Sequence, residues 1–437
     1  MYDLAPPAVY AHETVMREAV YRARVERVVA ALREPREVVT YTDDQLPDLI
    51  LKEGLIEGRV PMGTLSEVRD PILLFNTFRF DGPDEEAMRR QRLVDSGVAP
   101  EQCLDVLLGG GAFHWANYNL AGDPDRRDKV CRPCWRIHLH SGCVHRCHYC
   151  SFGGLLGVMV NVEEYCTFLG QIIERHPWQK TYLLDDDADP PCLEPEFGGL
   201  ARLIEYFGRL EDRYLIIHTK TWNTEWMADL AHNGHTIIVW SISGPTQSRL
   251  LEPKTGTTEQ RIEAARIAQQ AGYPIRYKFK PIIPVRGWRE DAAETARLIF
   301  ERTRPDVISL CCFMWTPVEE MKRRLPADLL EPAYLEAAET SSEEMAETRT
   351  KPFPAWVRAE IYDHHLEAIR KHDAEIPVSL STENFAMWGE YSEKLGMTAT
   401  NYVCGCGPQT TPGATRLSCH PFKVAVRNDE GIPGTTG

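Results

Sequence analysis

The sequence predicts an α/β protein built on a parallel sheet, either open or closed into a partial barrel. Three observations carry that expectation. From about residue 131, short apolar runs recur in order: RIHLHSG, KTYLLD, RYLIIHT, HTIIVWS, PIRYKFKP and DVISLCC. Helical patterns separate them near 162–176, 198–212, 223–233, 257–272 and 289–304, and five such βα units in series call for right-handed crossovers between parallel strands. No 20–50-residue repeat or low-complexity tract competes with that reading. Folds of this kind place their chemistry at the C-terminal ends of the strands.

The 437 residues divide into three blocks. Residues 1–130 form a mixed, mostly helical N-terminal extension. It opens with an amphipathic helix expected from His12 to Glu34, where Val15, Ala19, Val25, Val28, Val29 and Leu32 fall near helical spacing. It ends in the loop-like GGGAFHWANYNLAGDPDRRDK, whose glycines lack the Lys-Ser/Thr of a phosphate loop. Residues 131–325 form the core. Residues 326–437 form a C-terminal extension with helices expected at 354–371 and 384–395 and a Cys/Gly/Pro-rich tail.

Composition narrows the function. Hydrophobic residues make up 43% and charged residues 26%, enough to bury a core. No run of ~18 uncharged apolar residues is present, and MYDLAPPAVYAHETVMREAV lacks a basic flank followed by an apolar core. These features exclude a transmembrane helix and a secretory signal and point to the cytoplasm. The net charge of −15 disfavours nucleic acid as a partner and favours a cationic small molecule. In such a compartment the 13 cysteines are metal ligands or reactive thiols rather than a disulfide framework.

The strongest motif is SGCVHRCHYC, just after the first core strand, with Cys143, Cys147 and Cys150 spaced CxxxCxxC. Three thiolates on one loop can hold three irons of a [4Fe–4S] cluster and leave the fourth open for an external ligand. The alternative is zinc, which wants four ligands, with His145 or His148 as the fourth. His138 and His140 alternate with Ile137 and Leu139, as strand residues lining a pocket would.

This loop resembles the radical S-adenosylmethionine superfamily, in which an aromatic residue, here Tyr149, commonly precedes the last cysteine. The stretches LIIHTKTWNTEWM, HNGHTIIVWSIS, EPKTGTTEQRIEAARIAQQAGYPIRYKFKPIIPVRGW and STENFAMW are similar to its spore photoproduct lyase-like branch. The resemblance covers roughly 135–320. It implies a partial (β/α)6 barrel, a [4Fe–4S] cluster, S-adenosylmethionine cleaved to a 5′-deoxyadenosyl radical, and an external electron donor of flavodoxin or ferredoxin type. It further implies that Lys220 and Ser241 contact the methionine and ribose parts of the cofactor, and that Asp189 is an acidic contact. At the position where photoproduct lyases commonly carry a hydrogen-donating cysteine, this chain has Asp186, and Cys192 is displaced.

That departure leads away from thymine-lesion repair. Asp185, Asp186 and Asp187 fail as a calcium loop, because Pro190 stands where glycine is needed. As a pocket wall they offer carboxylates to bind amines and move protons, and crowding raises the proton affinity of one of them. The expectation is therefore a second resemblance, to the radical diol dehydratases of aminoglycoside antibiotic biosynthesis. It implies hydrogen abstraction from an aminosugar such as paromamine, dehydration to a deoxy-ketone, and an NAD(P)H-dependent reductase partner. The alternatives are nucleic-acid lesion repair of the photoproduct lyase kind and a non-catalytic zinc-binding module.

Further cysteines flank the core. Cys131 and Cys134 (CRPC) precede the first strand, and Cys404, Cys406 and Cys419 lie in the tail. CxxC and CxC together are compatible with a second iron–sulfur cluster or a zinc ion, although sequence alone cannot bring the pairs together. Cys311 and Cys312 end a strand on the expected catalytic side.

Overall fold

The computed structural model describes residues 1–56, 70–116, 129–418 and 435–436. Two sheets organise it. The first contains β1 (Val9–His12), β2 (Val38–Tyr41) and β3 (Ile72–Asn76). The second begins with β4 (Phe113–Ala116) and β5 (Cys134–Ile137). The short β6 (His140–Ser141) and β7 (Leu155–Met159) then return to the first sheet, whose order is β2-β1-β3-β7-β6. The remaining strands are β8 (Thr181–Leu184), β9 (Tyr214–Thr219), β10 (Thr236–Ile242), β11 (Ile275–Ile282), β12 (Ile308–Cys312), β13 (Val378–Leu380) and β14 (Thr435–Thr436). They give the second sheet the order β13-β12-β11-β10-β9-β8-β5-β4-β14.

Within the second sheet every pairing from β5 to β13 is parallel. The strands read as continuous apolar runs because helices cover the outer face: Ile237, Ile238, Val239 and Trp240 of β10 are all buried. The expected helices appear at Val162–Arg175, Gly199–Gly208, Thr258–Gln270 and Trp288–Arg302, and in the tail at Ala355–Arg370 and Phe385–Leu395. Thr257 and Gln260 close a capping box at the start of the third of these.

Four expectations need correction. The helix expected over 223–233 is a single 3₁₀ turn, Glu225–Met227. Upstream of it, Thr219 Oγ1 accepts from the amide of Thr221 and Thr221 Oγ1 from that of Asn223, at 2.9 and 3.0 Å, so hydroxyls take amides that a helix start would use. The helix expected from His12 to Glu34 is two, Glu13–Arg17 and Ala19–Ala30, broken at an extended Glu18. The boundary at 130 does not separate sheets, since β1–β3 pair with β7 and β4 pairs antiparallel with β5. Nor does the boundary at 325, because β13 extends the core sheet from β12. Part of the loop ending at Lys129, and Cys419, lie outside the described residues.

The cysteine loop is anchored where the two sheets meet. Gly142 leaves β6 with φ +96°, and a Cβ there would stand 1.9 Å from the Leu155 carbonyl oxygen. Gly142→Ala is expected to destabilise the protein by about 2–4 kcal/mol. Gly389→Ala, inside a helix with open space at its Cβ, is expected to gain about 0.5–1 kcal/mol. Denaturant midpoints of the two variants check both values.

Candidate active site and metal centre

A cavity of about 1150 Å³ opens along the C-terminal ends of β5, β8 and the strands beyond them. Successive strands or the loops after them contribute His138, Asp186, Lys220, Ser241, Lys280 and Cys311 to its wall. The cysteine loop closes one side, with Cys143, Cys147, Tyr149 and Cys150 lining it.

The loop is held at both ends. Arg146 N and His148 N donate to the carbonyls of Pro253 and Leu251 at 3.2 and 2.9 Å. The Arg146 guanidinium reaches buried Asp70 at 2.9 Å, which Lys254 also contacts. The amides of His145 and Phe152 point at the sulfurs of Cys143 and Cys150, each at 3.4 Å. Burial pushes the Cys147 thiol up to about 12 and the Cys143 thiol well above its ordinary range. A bound metal would offset that burial penalty and favour the thiolates. The donor set of three sulfurs on one loop fits a cluster with one iron left to an external ligand.

Behind the loop stands Glu252, 2% exposed. It accepts from Arg261 at 2.5 Å, Tyr149 OH at 2.6 Å, Ser243 at 2.9 Å and Gln247 at 3.1 Å. Burial opposes its charge, but Arg261 and Lys220 outweigh it and hold the carboxyl down at about 2. Lys220 lies 5.4 Å from the Tyr149 ring centroid. Burial works against its ammonium too, yet the neighbouring Cys147 and Glu252 charges raise its proton affinity.

Asp189 accepts from Thr219 Oγ1 at 2.6 Å and from the Lys220 amide at 3.0 Å through Oδ1. Its Oδ2 is buried with no hydrogen-bond partner, 3.7 Å from His145 Nε2. Burial pulls His145 down to about 4, so it stands neutral beside that oxygen, bonded to Tyr2 OH at 2.9 Å. Tyr149, Asp189, Lys220 and Ser241 thus come together on the wall that carries the three cysteines. A ligand with amine, carboxylate and hydroxyl groups fits an orphaned carboxylate oxygen, a charged lysine and a serine hydroxyl.

This geometry belongs with a recognisable kinship. A spore photoproduct lyase family model matches residues 131–310. Residues 131–310 belong to the spore photoproduct lyase-like branch of the radical SAM superfamily. The chain is 29% identical over 175 residues to the spore photoproduct lyase of Clostridium acetobutylicum, covering 38% of this chain and 52% of that one. It is 31% identical over 163 residues to the Bacillus subtilis enzyme, covering 36% and 48%. The chain therefore spans about half the length of the curated relatives it matches. Among solved structures, a spore photoproduct lyase complexed with dinucleoside spore photoproduct superposes with a TM-score of 0.58 at 16% identity, over 86% of this chain and 98% of that one. A mutant form with bound AdoMet and the same dinucleoside gives 0.57 at 14% identity, with the same coverage. At that identity the likeness concerns the fold.

The aspartate run of this spore photoproduct lyase-like domain does not behave as expected. Asp185 is fully buried at φ +45°, accepting from the amides of Leu139 and His140 at 2.9 and 3.0 Å and from His140 Nδ1 at 2.8 Å. Burial raises its proton affinity, but His138 and His140 override this and hold it at about 2. Asp185 is a backbone staple and not a general acid, which corrects the expected catalytic role. Asp186 forms an ion pair with Arg136 and lines the cavity, as does Asp187. Donor atoms of His138, Asp185 and Asp187 lie within 4.8 Å of one another, but the amides and His140 already occupy both Asp185 oxygens.

The sequence reading missed the cavity's cations. Lys129, Arg136, Lys278, Lys280, Arg324 and Arg349 all line it. Burial first, then neighbouring Lys278, pulls Lys280 down to about 8. Lys129 falls to the same value by burial, with Lys280, Arg136 and Arg349 adding to it. Trp315, 42% exposed, lies 4.9 Å from the Lys280 amine and 5.5 Å from that of Lys129, measured to the ring centroid. The whole-chain charge of −15 says nothing of this local field. The alternation LysPheLys in β11 was the available signal.

Asp185 and Glu252, both held near 2, stabilise the fold fully above the unfolded carboxyl value of about 4. That contribution is lost as pH falls from about 4 to 2. Asp185→Asn is expected to cost about 1–3 kcal/mol at pH 7 and to flatten the acid limb of a melting-temperature profile.

Proposed function

We propose that this chain is a radical S-adenosylmethionine enzyme acting on a nucleic-acid lesion, in the manner of its spore photoproduct lyase relatives. The observation that carries the substrate class is Trp315 flanked by the Lys129 and Lys280 amines at the cavity wall. An aromatic face suits a base, and the lysines with Arg136 and Arg349 suit phosphate. A polycationic aminosugar would meet like charge there. The expectation of an aminosugar substrate, and with it a dehydratase role in antibiotic biosynthesis and a reductase partner, gives way to the repair reading. The objection to nucleic acid drawn from net charge gives way with it. The kinship of 131–310 with lyases, one of which is solved with dinucleoside spore photoproduct, supports the same choice.

Cys143, Cys147 and Cys150 would hold the [4Fe–4S] cluster, with Tyr149, Asp189, Lys220 and Ser241 around S-adenosylmethionine. When bound, these cofactors supply hydrogen-atom abstraction from carbon, with the electron delivered by an external reductant. The chain's own work is positional. Lys220, kept cationic by Glu252, attracts the methionine carboxylate. The orphaned Asp189 oxygen accepts from an ammonium or ribose hydroxyl. Tyr149, tied to Glu252, fixes the last turn of the cluster loop. Asp186, paired with Arg136, has no thiol hydrogen to give; Cys311, on the cavity wall with Sγ 3.5 Å from Thr382 Oγ1, is our candidate donor.

The test is anaerobic reconstitution with iron and sulfide, then dithionite and S-adenosylmethionine, with 5′-deoxyadenosine quantified. The thymine photoproduct dinucleotide is expected to stimulate its formation, and paromamine to have no effect. The reverse pattern would overturn the substrate class. Alanine at Cys143, Cys147 or Cys150 should abolish 5′-deoxyadenosine.

Binding of a lesion-bearing oligonucleotide should weaken with salt. Lys129→Gln and Lys280→Gln should each reduce the log–log salt slope by about 0.7–0.9. Affinity should fall as pH rises through about 8, where Lys280 and Lys129 lose their protons. Fluorescence anisotropy across pH and salt checks both.

A further inference from the structure

Two cysteine pairs some 270 residues apart in the chain meet on the wall of the cavity. Cys131, before β5, and Cys404 and Cys406, in the tail, all line it. Cys134, the first residue of β5, stands behind them, within electrostatic reach of Cys131 and Cys406. The tail is stitched into place by three strands. Thr181 Oγ1 and the Thr181 amide of β8 donate to the carbonyls of Gly407 and Pro408 at 2.5 and 3.1 Å. Arg276 of β11 donates to the carbonyls of Gly405 and Thr411 at 3.4 and 3.1 Å. Ser309 Oγ of β12 accepts from the Gly405 amide at 3.0 Å. Glycine follows Cys404 and Cys406, and a Cβ at Gly407 would stand 2.6 Å from Thr410 Oγ1 and 3.1 Å from Cys404 Sγ. Close approach of the Cys404 thiol and the Thr410 hydroxyl to the backbone accounts for glycine at 407, and the Val239 and Ser309 side chains crowd Gly405.

The surroundings are those of a metal–thiolate site. Lys278, 3% exposed, extends its ammonium to 3.5 Å from Cys406 Sγ, with Cys404, Cys131 and Cys311 also within electrostatic reach. A buried cation among sulfurs is stable when those sulfurs carry negative charge. The buried His218 ring sits within hydrogen-bond reach of Cys406. A zinc ion would gather its sulfurs to about 3.8 Å of one another. Among the described residues, however, the group whose donor atoms all lie within 4.8 Å is His138, Asp185 and Asp187. Cys404 and Cys406 lie in hydrogen-bond contact with each other, but no three of these four thiols are drawn together that tightly, nor are Cys143, Cys147 and Cys150.

We propose that Cys131, Cys134, Cys404 and Cys406 hold a second iron–sulfur cluster, distinct from the one on the CxxxCxxC loop. Lys278 offsets the thiolate charge and donates to Cys406, and His218 offers its ring nitrogen to the same sulfur. The tail is thereby bonded through metal to the strand that opens the core.

The test is anaerobic reconstitution of the full chain, reading iron and acid-labile sulfide per chain and the spectrum of the dithionite-reduced protein. The wild type is expected to bind about eight irons and the Cys143→Ala/Cys147→Ala/Cys150→Ala variant about four, with a reducible cluster signal. The Cys404→Ser/Cys406→Ser variant should also hold about four, and the combination of all five substitutions essentially none. Cys131→Ser leaves the tail sequence intact and should lose the second signal even if the tail variant misfolds. A loop variant that melts cooperatively yet binds no iron, or binds one zinc instead, overturns the proposal. Because that readout is made without the loop cysteines, its failure leaves the proposed radical activity standing. Absence of 5′-deoxyadenosine from the wild type would likewise leave the second cluster standing.

Discussion

The ion pair of Glu252 with Arg261 is the interaction on which the site depends. Two charges with 2% and 0% exposure gain little net stability from each other, because desolvation consumes most of the Coulomb term. What they supply is geometry. Arg261 also donates to the carbonyls of Gly256 and Ser241, at 2.6 and 3.0 Å, so one guanidinium ties the end of β10 to the following loop. Glu252 passes that fixed position on to Tyr149 and, through its field, to Lys220. The cluster loop and the residues opposite it are thereby referenced to a single buried pair, and neither can shift alone.

Much of this was legible beforehand, for identifiable reasons. The core strands were visible because parallel strands buried on both faces leave unbroken runs such as TIIVWS, and the CxxxCxxC spacing reports a loop whose geometry is local. Cavity-lining Lys220 and Ser241 could be placed because each directly follows or ends such a run. The N-terminal strands were missed because VYAH, VVTY and ILLFN are short and their partners lie far away in sequence. Helix periodicity from Val15 to Leu32 was real but blind to the extended Glu18. Asp185 shows the harder failure. In sequence it is one of a run of acids, whereas in the fold it is buried apart from its neighbours and held by two amides and the His140 ring.

The cavity's charge makes the same point about electrostatics. A net charge summed over a chain describes its far field, and it legitimately predicts solubility and nonspecific attraction. Substrate selection depends on the few groups that line a low-dielectric cavity, where solvent screens least. Lys280 and Lys129, pulled to about 8 by burial and by neighbouring cations, are held in a place that penalises their charge. An incoming phosphate would relieve that penalty, and the relief is available as binding energy. An ammonium would add to it.

The tail completes this environment. Without residues 404–411 the inner faces of β8, β11 and β12 would leave Thr181, Arg276 and Ser309 without the partners that the tail now gives them. Those polar groups make sense as a seat for a specific returning segment, since a purely apolar plug would leave the Thr181 hydroxyl and one Arg276 nitrogen unsatisfied. The sheet interior is therefore built to receive the tail. Because the tail arrives bearing Cys404 and Cys406 beside Lys278, the same docking that satisfies these strands also brings a second set of sulfurs to the cavity wall.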